Sequence, residues 1–237
     1  MCTVSFIARK RGYVLAMNRD EKFTRPKGLP PKVVRVDGHK VIYPSEPSGG
    51  TWISLNDTGV TYALINWYSV RAEAGQNSVS RGIIVKSVCP QTSPSGVFEI
   101  LKQLPLEKFN PFRLIGVFPK NRQIFEWCWD LKNLVCRRRR WREQQFISSG
   151  LDEPKAQRIR HQTFRIAARQ KTAGSLQWLR RLHCSHWPNY GPFSTCMHRA
   201  DAATVSYAEV MVSAAVKKLK YRADAPCLNS KFISIKI

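Results

Sequence analysis

The residue with the greatest chemical potential is the cysteine at position 2. Initiator methionine is usually removed when a small residue follows it, and removal of Met1 would leave a thiol and a free α-amine on Cys2. Such an amine has an ordinary pKa of about 7.7–8.0, which suits a general base at neutral pH. Cys2 alone could therefore supply a nucleophile and its base. The same position also suits a small apolar residue at the start of a buried strand.

The residues after Cys2 predict a hairpin that carries a polar cluster back to it. Residues 2–8 are rich in β-forming types, 10–12 hold the turn sequence Lys-Arg-Gly, and 13–17 form the return strand. The polar run 18–21 (Asn-Arg-Asp-Glu) is expected to end that strand. Antiparallel pairing would then place this run beside the second residue of the chain.

Two members of that run could act on Cys2. The Arg19 guanidinium would lower the pKa of the thiol and produce a thiolate at neutral pH. The Asp20 carboxylate would hold the α-amine through charge-assisted hydrogen bonds. Neighbouring strand residues point to opposite faces, so the two could instead form a structural ion pair unless a bulge or strand end redirects one of them.

The rest of the chain predicts strands and helices in separate blocks. The predicted elements are a long loop over 24–49, strands at 51–55 and 60–65, helices at 79–89 and 95–104, strands at 112–118, 123–129, 132–137 and 144–148, helices at 154–170 and 174–184, strands within 193–222, and a loosely held end over 224–237. This order favours an α+β fold with segregated layers. We expect a single domain over 1–237.

Composition limits the class of protein. Hydrophobic residues make up 43% and aromatic residues 11% of the chain, which excludes a wholly disordered protein. The formal net charge of +23 favours anionic partners or substrates. Seven cysteines without a C-x-x-C pair fit reduced thiols rather than a disulfide framework. The same cysteine usage leads us to expect a cytoplasmic protein. No apolar run is long enough for a membrane helix, and the sequence does not indicate the oligomeric state.

Metal and cofactor signals are weak. The motif His183-x-x-His186 beside Cys184 resembles a pair of metal ligands. No second cluster at ligand spacing accompanies it, so we predict no metal site and no cofactor. The sequence also lacks a convincing Ser/His/Asp or Cys/His signature, which is consistent with a self-contained N-terminal nucleophile.

One block of charge stands out, the run Arg137–Arg140 followed by Trp141 and Arg142. It could bind phosphates while the indole stacks on a base. The same alternation is typical of a strand whose basic residues block edge pairing, and we favour that interpretation.

Motifs along most of the chain resemble the NRDE family, which includes the transport and Golgi organisation protein two group. The matching blocks are Met1-Cys2-Thr3, Ala16–Glu21, Gly49–Trp52, Asn56–Gly59, Ala63–Asn66, Ser148–Asp152, Cys196–Asp201 and Thr204–Tyr207. The family is similar to cysteine-type N-terminal nucleophile hydrolases, such as choloylglycine hydrolases and penicillin V acylases. The resemblance implies a four-layer αββα sandwich with Cys2 as the nucleophile on an inner strand.

The resemblance also implies roles for other residues. Arg19 and Asp20 match the family's arginine and aspartate beside the nucleophile. Asn66 matches an asparagine that stabilises an oxyanion, and Arg199 matches a late arginine of the acylases. Asn66 could instead be a turn residue, and Arg199 could lie in a solvated turn. The acylases' second asparagine falls near 147–150, where this chain has serines.

These observations lead to three hypotheses. The first is an N-terminal cysteine hydrolase that acts on a linear amide-type C–N bond of a small-molecule substrate. The second is a non-catalytic relative that binds a small hydrophobic or anionic ligand, since animal members of the resembled family are linked to secretory-pathway organisation and to lipid or haem handling. The third is a nucleic-acid-binding module, which rests on net charge alone and lacks a recognised binding motif.

Overall fold

The computed structural model describes residues 2–71, 79–228 and 230–237. Its elements in chain order are β1 (Cys2–Arg9), β2 (Gly12–Lys22), β3 (Leu29–Val36), β4 (His39–Ser45), β5 (Ile53–Asn56), β6 (Thr61–Asn66), α1 (Gly82–Val88), α2 (Pro94–Gln103), a short 3-10 helix (Leu106–Lys108), β7 (Phe112–Phe118), β8 (Gln123–Trp129), β9 (Leu134–Arg139), β10 (Gln144–Ser148), α3 (Glu153–Ala167), α4 (Leu176–Cys184), β11 (Ala202–Val212), β12 (Lys217–Arg222) and β13 (Ile233–Lys236). The predicted blocks of strands and helices are confirmed, apart from residues 24–49, the end of β2 and residues 224–237, which are described below.

The strands form two antiparallel sheets. The first sheet has the order β10-β1-β2-β11-β12-β13, and the second has the order β3-β4-β5-β6-β7-β8-β9. Strand β1 therefore lies inside the first sheet, with a partner on each side. The hairpin of β1 and β2 predicted from the sequence is present.

The two sheets pack face to face, and each carries helices on its outer face. One cluster of buried residues contains members of both sheets, such as Phe6 and Ile115. A second joins Val14 of the first sheet to Trp178 of α4. A third joins Leu114 of the second sheet to buried residues of α1 and α2. The layers are thus α, β, β and α, and the predicted αββα sandwich is confirmed.

Local sequence explains where the longer helices begin. The side chain of Ser93 accepts a hydrogen bond from Gly96 N at the start of α2, and that of Ser175 accepts one from Trp178 N at the start of α4. Asp152 does the same for Lys155 N at the start of α3. Each cap satisfies a main-chain N–H that the first turn of a helix leaves without a partner. No helix in the described ranges is long and apolar enough to cross a membrane.

The prediction of a long loop over 24–49 is wrong, because this segment contains the hairpin of β3 and β4. Its prolines misled the prediction. Pro30 and Pro31 lie in β3, which is an edge strand where a missing N–H is tolerated, and the pairing register shifts there. The turn at Asp37 and Gly38 has positive φ at both residues (48° and 81°), as a two-residue hairpin turn requires.

Two strands extend beyond their predicted ends. Strand β2 continues through the polar run to Lys22 instead of ending at it. Residues 224–237 are not wholly loose, because β13 pairs with β12. In both places polar or charged residues interrupt the pattern of a strand, but main-chain hydrogen bonds to the neighbouring strand maintain it.

The basic run lies where the edge-strand interpretation places it. Arg137–Arg139 end β9, the outermost strand of the second sheet. Arg139 donates to Glu126 of β8 at 2.7 Å. The ring of Trp141 packs against Phe6 at 4.9 Å between centroids, so its stacking partner is in the protein core.

Candidate active site

Cys2 is held at the end of an inner strand. It is the first residue of β1 and lies opposite Ser148 of β10 on one side and Arg19 of β2 on the other. Its main-chain nitrogen donates to the Ser148 hydroxyl oxygen at 3.0 Å. The residue is 6% exposed. The predicted removal of Met1 lies outside the described residues.

A cavity of about 240 Å³ lies beside Cys2. Its lining residues come from both sheets and from the start of α1, and they are Cys2, Arg19, Asp20, Glu21, Arg25, Glu46, Thr51, Trp52, Leu64, Asn66, Val79, Ser80, Arg81, Gly82 and Asn110. Four of the five residues singled out in the sequence therefore meet in one cleft. The fifth, Arg199, is not among the described lining residues.

Arg19 faces this cavity but is occupied by acidic partners. Its guanidinium donates to Glu46 at 2.6 Å and to Glu21 at 3.2 Å, and it lies 4.5 Å from the ring centroid of Trp52. These contacts fix the cation and neutralise much of its field.

The predicted lowering of the Cys2 pKa is wrong in its net direction. Burial is the dominant influence and raises the pKa of the thiol, while the nearby Arg19 guanidinium lowers it by less. A charged thiolate would lose its hydration in this position. The resting form is therefore the neutral thiol, and an attack would require a base to remove its proton.

Asp20 belongs to the cavity lining, but its carboxylate is bound by residues of α3 and β11. Its two oxygens accept from Arg160 Nη1 at 3.2 Å and from Thr204 Oγ1 at 2.7 Å. The charge of the Asp20 carboxylate raises the pKa of the Cys2 thiol, and a hydrogen bond between the thiol and the main chain of Asp20 lowers it by less. Arg19 and Asp20 thus obey the alternation of a regular strand, and the irregularity in register lies in the neighbouring strand β11, between Thr204 and Ser206. The carboxylate expected to hold the α-amine has other partners here.

Asn66 ends β6 at the cavity, as its proposed role requires. Its side-chain amide donates to the hydroxyl of Tyr68 at 2.6 Å. The chain just beyond is anchored where Ser69 N donates to Glu153 at 2.7 Å. Residues 72–78, which complete the connection to α1, lie outside the described ranges.

Arg199 lies in a different place. Its guanidinium pairs with Asp201 at 2.8 Å, in the connection that leads into β11. The sequence match to a late arginine of the acylases does not bring Arg199 to Cys2 among the described contacts.

The sequence as a whole matches one family. Residues 1–178 match the sequence profile described as Transport and Golgi organisation 2, which is about three quarters of the chain. The chain belongs to this family. No curated protein sequence matches it.

Solved structures give the fold of this family member. The structure of penicillin V acylase from Agrobacterium tumefaciens is similar with a TM-score of 0.58 and 10% identity, covering 100% of this chain and 86% of that one. The C2A mutant of conjugated bile acid hydrolase from Clostridium perfringens is similar with a TM-score of 0.54 and 8% identity, covering 99% and 92%. The Transport and Golgi organisation 2 chain thus has the fold of N-terminal nucleophile hydrolases.

A buried polar network supports the strands behind Cys2. Asn18 donates to the main-chain oxygens of His183 at 3.0 Å and Thr195 at 2.8 Å. The His183 ring bonds to Asn18 Oδ1 and to Ser5 Oγ, each at 2.9 Å. Burial, with a smaller contribution from Arg160, lowers the pKa of His183 to about 3. His183 is therefore a neutral structural residue, and its partners differ from those of His186.

Three residues that matter here were not predicted as site residues from the sequence. Ser148 holds the Cys2 nitrogen, and Arg160 of α3 is 1% exposed and binds both Asp20 and Thr3. Their spacing from Cys2 exceeds 140 residues, so only the assembled layers reveal them.

Arg81, the third such residue, adds a cation to the cavity wall. It donates to the main-chain oxygen of Pro111 at 2.9 Å, and burial lowers its pKa. Gly82 makes this placement possible, because a Cβ there would lie 2.8 Å from Thr51 N. The start of α1 can therefore approach the main chain before β5 closely enough for Arg81 to reach the cavity.

Proposed function

We propose that this protein is an N-terminal cysteine hydrolase that cleaves a linear amide-type C–N bond. The observation that carries the proposal is the position of Cys2, at the open end of an inner strand and on the wall of a polar cavity that Asn66 also lines. The likeness to penicillin V acylase and to a C2A mutant bile acid hydrolase supports the same position for a nucleophile.

The reaction needs Met1 to be removed first. The α-amine of Cys2 then takes the proton of the neutral thiol, and the sulfur attacks the substrate carbonyl carbon. The Asn66 amide donates to the oxygen of the tetrahedral intermediate. The C–N bond breaks as the α-ammonium returns its proton to the departing nitrogen, which leaves a thioester on Cys2. Water then hydrolyses the thioester, so that one amide and one water give one carboxylic acid and one amine.

Ser148 has the positioning role in this scheme. Its hydroxyl accepts from the Cys2 nitrogen at 3.0 Å. After Met1 is removed, the same contact would hold the α-amine in place on the residue that carries the thiol. A serine at this position thus takes over an orienting task that the sequence assigned to the Asp20 carboxylate.

The cavity favours a small or slender substrate group with negative charge near the scissile bond. Arg19 and Arg25 each bind Glu46, whereas the described contact of Arg81 is to a main-chain carbonyl. Arg81 could therefore accept a carboxylate or similar group with the least loss of existing ion pairs.

A second candidate, ligand binding without catalysis, is favoured by a neighbouring cavity of about 380 Å³. It shares Arg19 and Arg25 with the first cavity and has apolar walls that include Phe23 and Leu228. An amphipathic anion could place its charged end at Arg25 and its apolar part in this second cavity.

Intact mass of the purified protein tests the hydrolase first, because it should show loss of Met1. Incubation with a panel of N-acyl amides should then release free amine and add an acyl group to the peptide that begins with Cys2. Cys2→Ala is the key control, since alanine is small enough for Met1 removal but cannot attack. Cys136→Ala removes an exposed thiol and should change neither result. Retention of Met1, or amine release by Cys2→Ala at the wild-type rate, would refute the hydrolase.

A further inference from the structure

Four potential metal-ligand atoms meet at one point outside the Cys2 cavity. They are Nε2 of His186, Sγ of Cys196, Nε2 of His198 and Sγ of Cys227, and all lie within 4.8 Å of one another. The residues come from three separate segments, after α4, before β11 and after β12. All four also lie beyond residue 178, where the family match ends.

The separations between these atoms fit a tetrahedral metal. The two nitrogens are 3.2 Å apart, the two sulfurs 3.5 Å apart, and His198 Nε2 lies 3.5 and 3.6 Å from the two sulfurs. Tetrahedral zinc with bonds of about 2.3 Å to sulfur and about 2.05 Å to nitrogen requires separations of about 3.3, 3.8 and 3.6 Å respectively. These four separations match to within about 0.3 Å. The two between His186 Nε2 and the sulfurs lie within 4.8 Å, so an ion would need at most a small inward shift of His186.

We propose that His186, Cys196, His198 and Cys227 bind one zinc ion as a closed structural site. Two thiolates and two imidazoles in tetrahedral arrangement are the donor set that zinc prefers. Four protein ligands leave no position for water or substrate, which distinguishes a structural site from a catalytic one.

The ligand-bearing loop is already held in shape. Cys196 N donates to Ser185 O at 3.0 Å, and His198 N donates to Gly191 O at 3.1 Å. The Tyr190 ring stacks on the His198 ring with 4.1 Å between centroids. Cys196 is fully buried, while the other three ligands are partly accessible, so an ion could enter from the solvent side.

The site would fasten the segment after β12 to the loop before β11. It would also steady the support behind Cys2, because Met197 N, between two of the ligands, donates to Thr204 Oγ1 at 2.9 Å. Thr204 in turn donates to Asp20 at 2.7 Å. Zinc would thus help to hold Asp20 of β2 in place and would take no part in the chemistry at Cys2. The inference does not depend on the proposed hydrolysis.

The absence of a metal signal in the sequence has a simple cause. The prediction weighed His183 with His186, but the fold turns His183 inward to Asn18 and Ser5 and leaves His186 to the cluster. Cys227 lies 29 residues beyond His198, across two strands. No short sequence motif therefore indicates that these two residues are ligands of one site.

Elemental analysis of the purified full chain should find one zinc per chain. Replacement of zinc by cobalt should give the strong visible bands of a tetrahedral ion together with thiolate-to-metal charge transfer. Cys227→Ser should lose the zinc and these bands, whereas Cys136→Ser, which removes an exposed thiol of β9, should keep both. Circular dichroism of each variant shows whether it has folded.

A second measurement uses the wild-type chain alone, so it does not depend on a variant that folds. Alkylation followed by peptide mapping should find Cys196 and Cys227 protected with the metal bound and labelled after chelation, with Cys136 labelled in both samples. Protein that lacks stoichiometric zinc and gives only an octahedral cobalt spectrum would overturn the proposal. So would a disulfide between Cys196 and Cys227 in the freshly purified protein, seen as a loss of two hydrogens in the intact mass.

Discussion

The two faces of the β1–β2 hairpin have different surroundings. The cavity face carries Cys2 and Arg19, which meet charged residues and open space. The rear face carries Thr3, Asn18 and Asp20, which are fully buried and hydrogen-bonded to the layer of α3 and α4. Strand alternation thus separates the groups that could react from the groups that hold them. Changes on the cavity face should alter rates, and changes on the rear face should alter stability.

The largest expected effect is on the cavity face. Cys2→Ala should reduce amide hydrolysis by on the order of 10⁴-fold or more, because the attacking atom is gone. Its free energy of unfolding should change by less than about 1 kcal/mol, since only a small side chain is lost. Steady-state amine release and urea unfolding measure the two quantities. A large loss of stability in this variant would contradict the expectation that changes on the cavity face alter rates and not stability.

The rear face should give the largest loss of stability. Arg160→Met leaves the Asp20 carboxylate buried without its cation, which should lower the free energy of unfolding by about 3–5 kcal/mol. Arg158→Met is the matched control, because Arg158 is exposed on the same helix and should change it by no more than about 0.5 kcal/mol. Equal unfolding midpoints for the two variants would show that the buried Arg160–Asp20 pair contributes no more to stability than an exposed arginine does.

Asn66 tests the cavity face without touching the nucleophile. Asn66→Leu keeps the size of the side chain but removes the amide donor, so kcat should fall about 10²–10³-fold with little change in KM. Tyr68→Phe removes only the hydroxyl that Asn66 contacts and should stay within a few-fold of wild type. If Asn66→Leu retains the wild-type kcat, Asn66 is not the oxyanion donor.

The smallest effect, over the range from pH 7 to pH 5, is a dependence of stability on pH. His183 has a folded pKa of about 3 against an ordinary value of 6.5, so the unfolded chain binds the extra proton between these values. Stability from the neutral ring is complete above pH 6.5 and is lost as the pH falls towards 3, by up to about 1.4 kcal/mol per pH unit.

Urea unfolding between pH 7 and pH 5 measures this slope. His183→Gln should flatten it, because the ring that takes up the proton on unfolding is gone. A slope that survives in His183→Gln belongs to other groups.

The layered fold could be predicted because its signals are local or shared by a family. The alternation of strand and helix blocks follows from periodicity, and the turn sequence at 10–12 between two β-rich segments predicted the hairpin that carries Cys2. The β3–β4 hairpin was missed because its prolines are tolerated only at a sheet edge, which the sequence does not specify.

The site could be predicted only in part. Cys2, Arg19, Asp20 and Asn66 do line one cavity. Arg160 binds the Asp20 carboxylate, and burial dominates the pKa of the thiol. Both the contact and the burial arise only when distant segments pack. Long-range partners of this kind leave no spacing to detect, and the same is true of the four zinc ligands.

The hydrogen bond between the Cys2 nitrogen and Ser148 has a practical consequence for recombinant work. Any affinity tag fused ahead of Cys2 would leave an amide where the scheme requires an amine, and its peptide would start at the rim of the cavity. Material prepared in that way would fold yet be expected to be inert. Tags belong after β13, whose residues are largely exposed at a sheet edge, or ahead of a protease site whose cleavage frees Cys2.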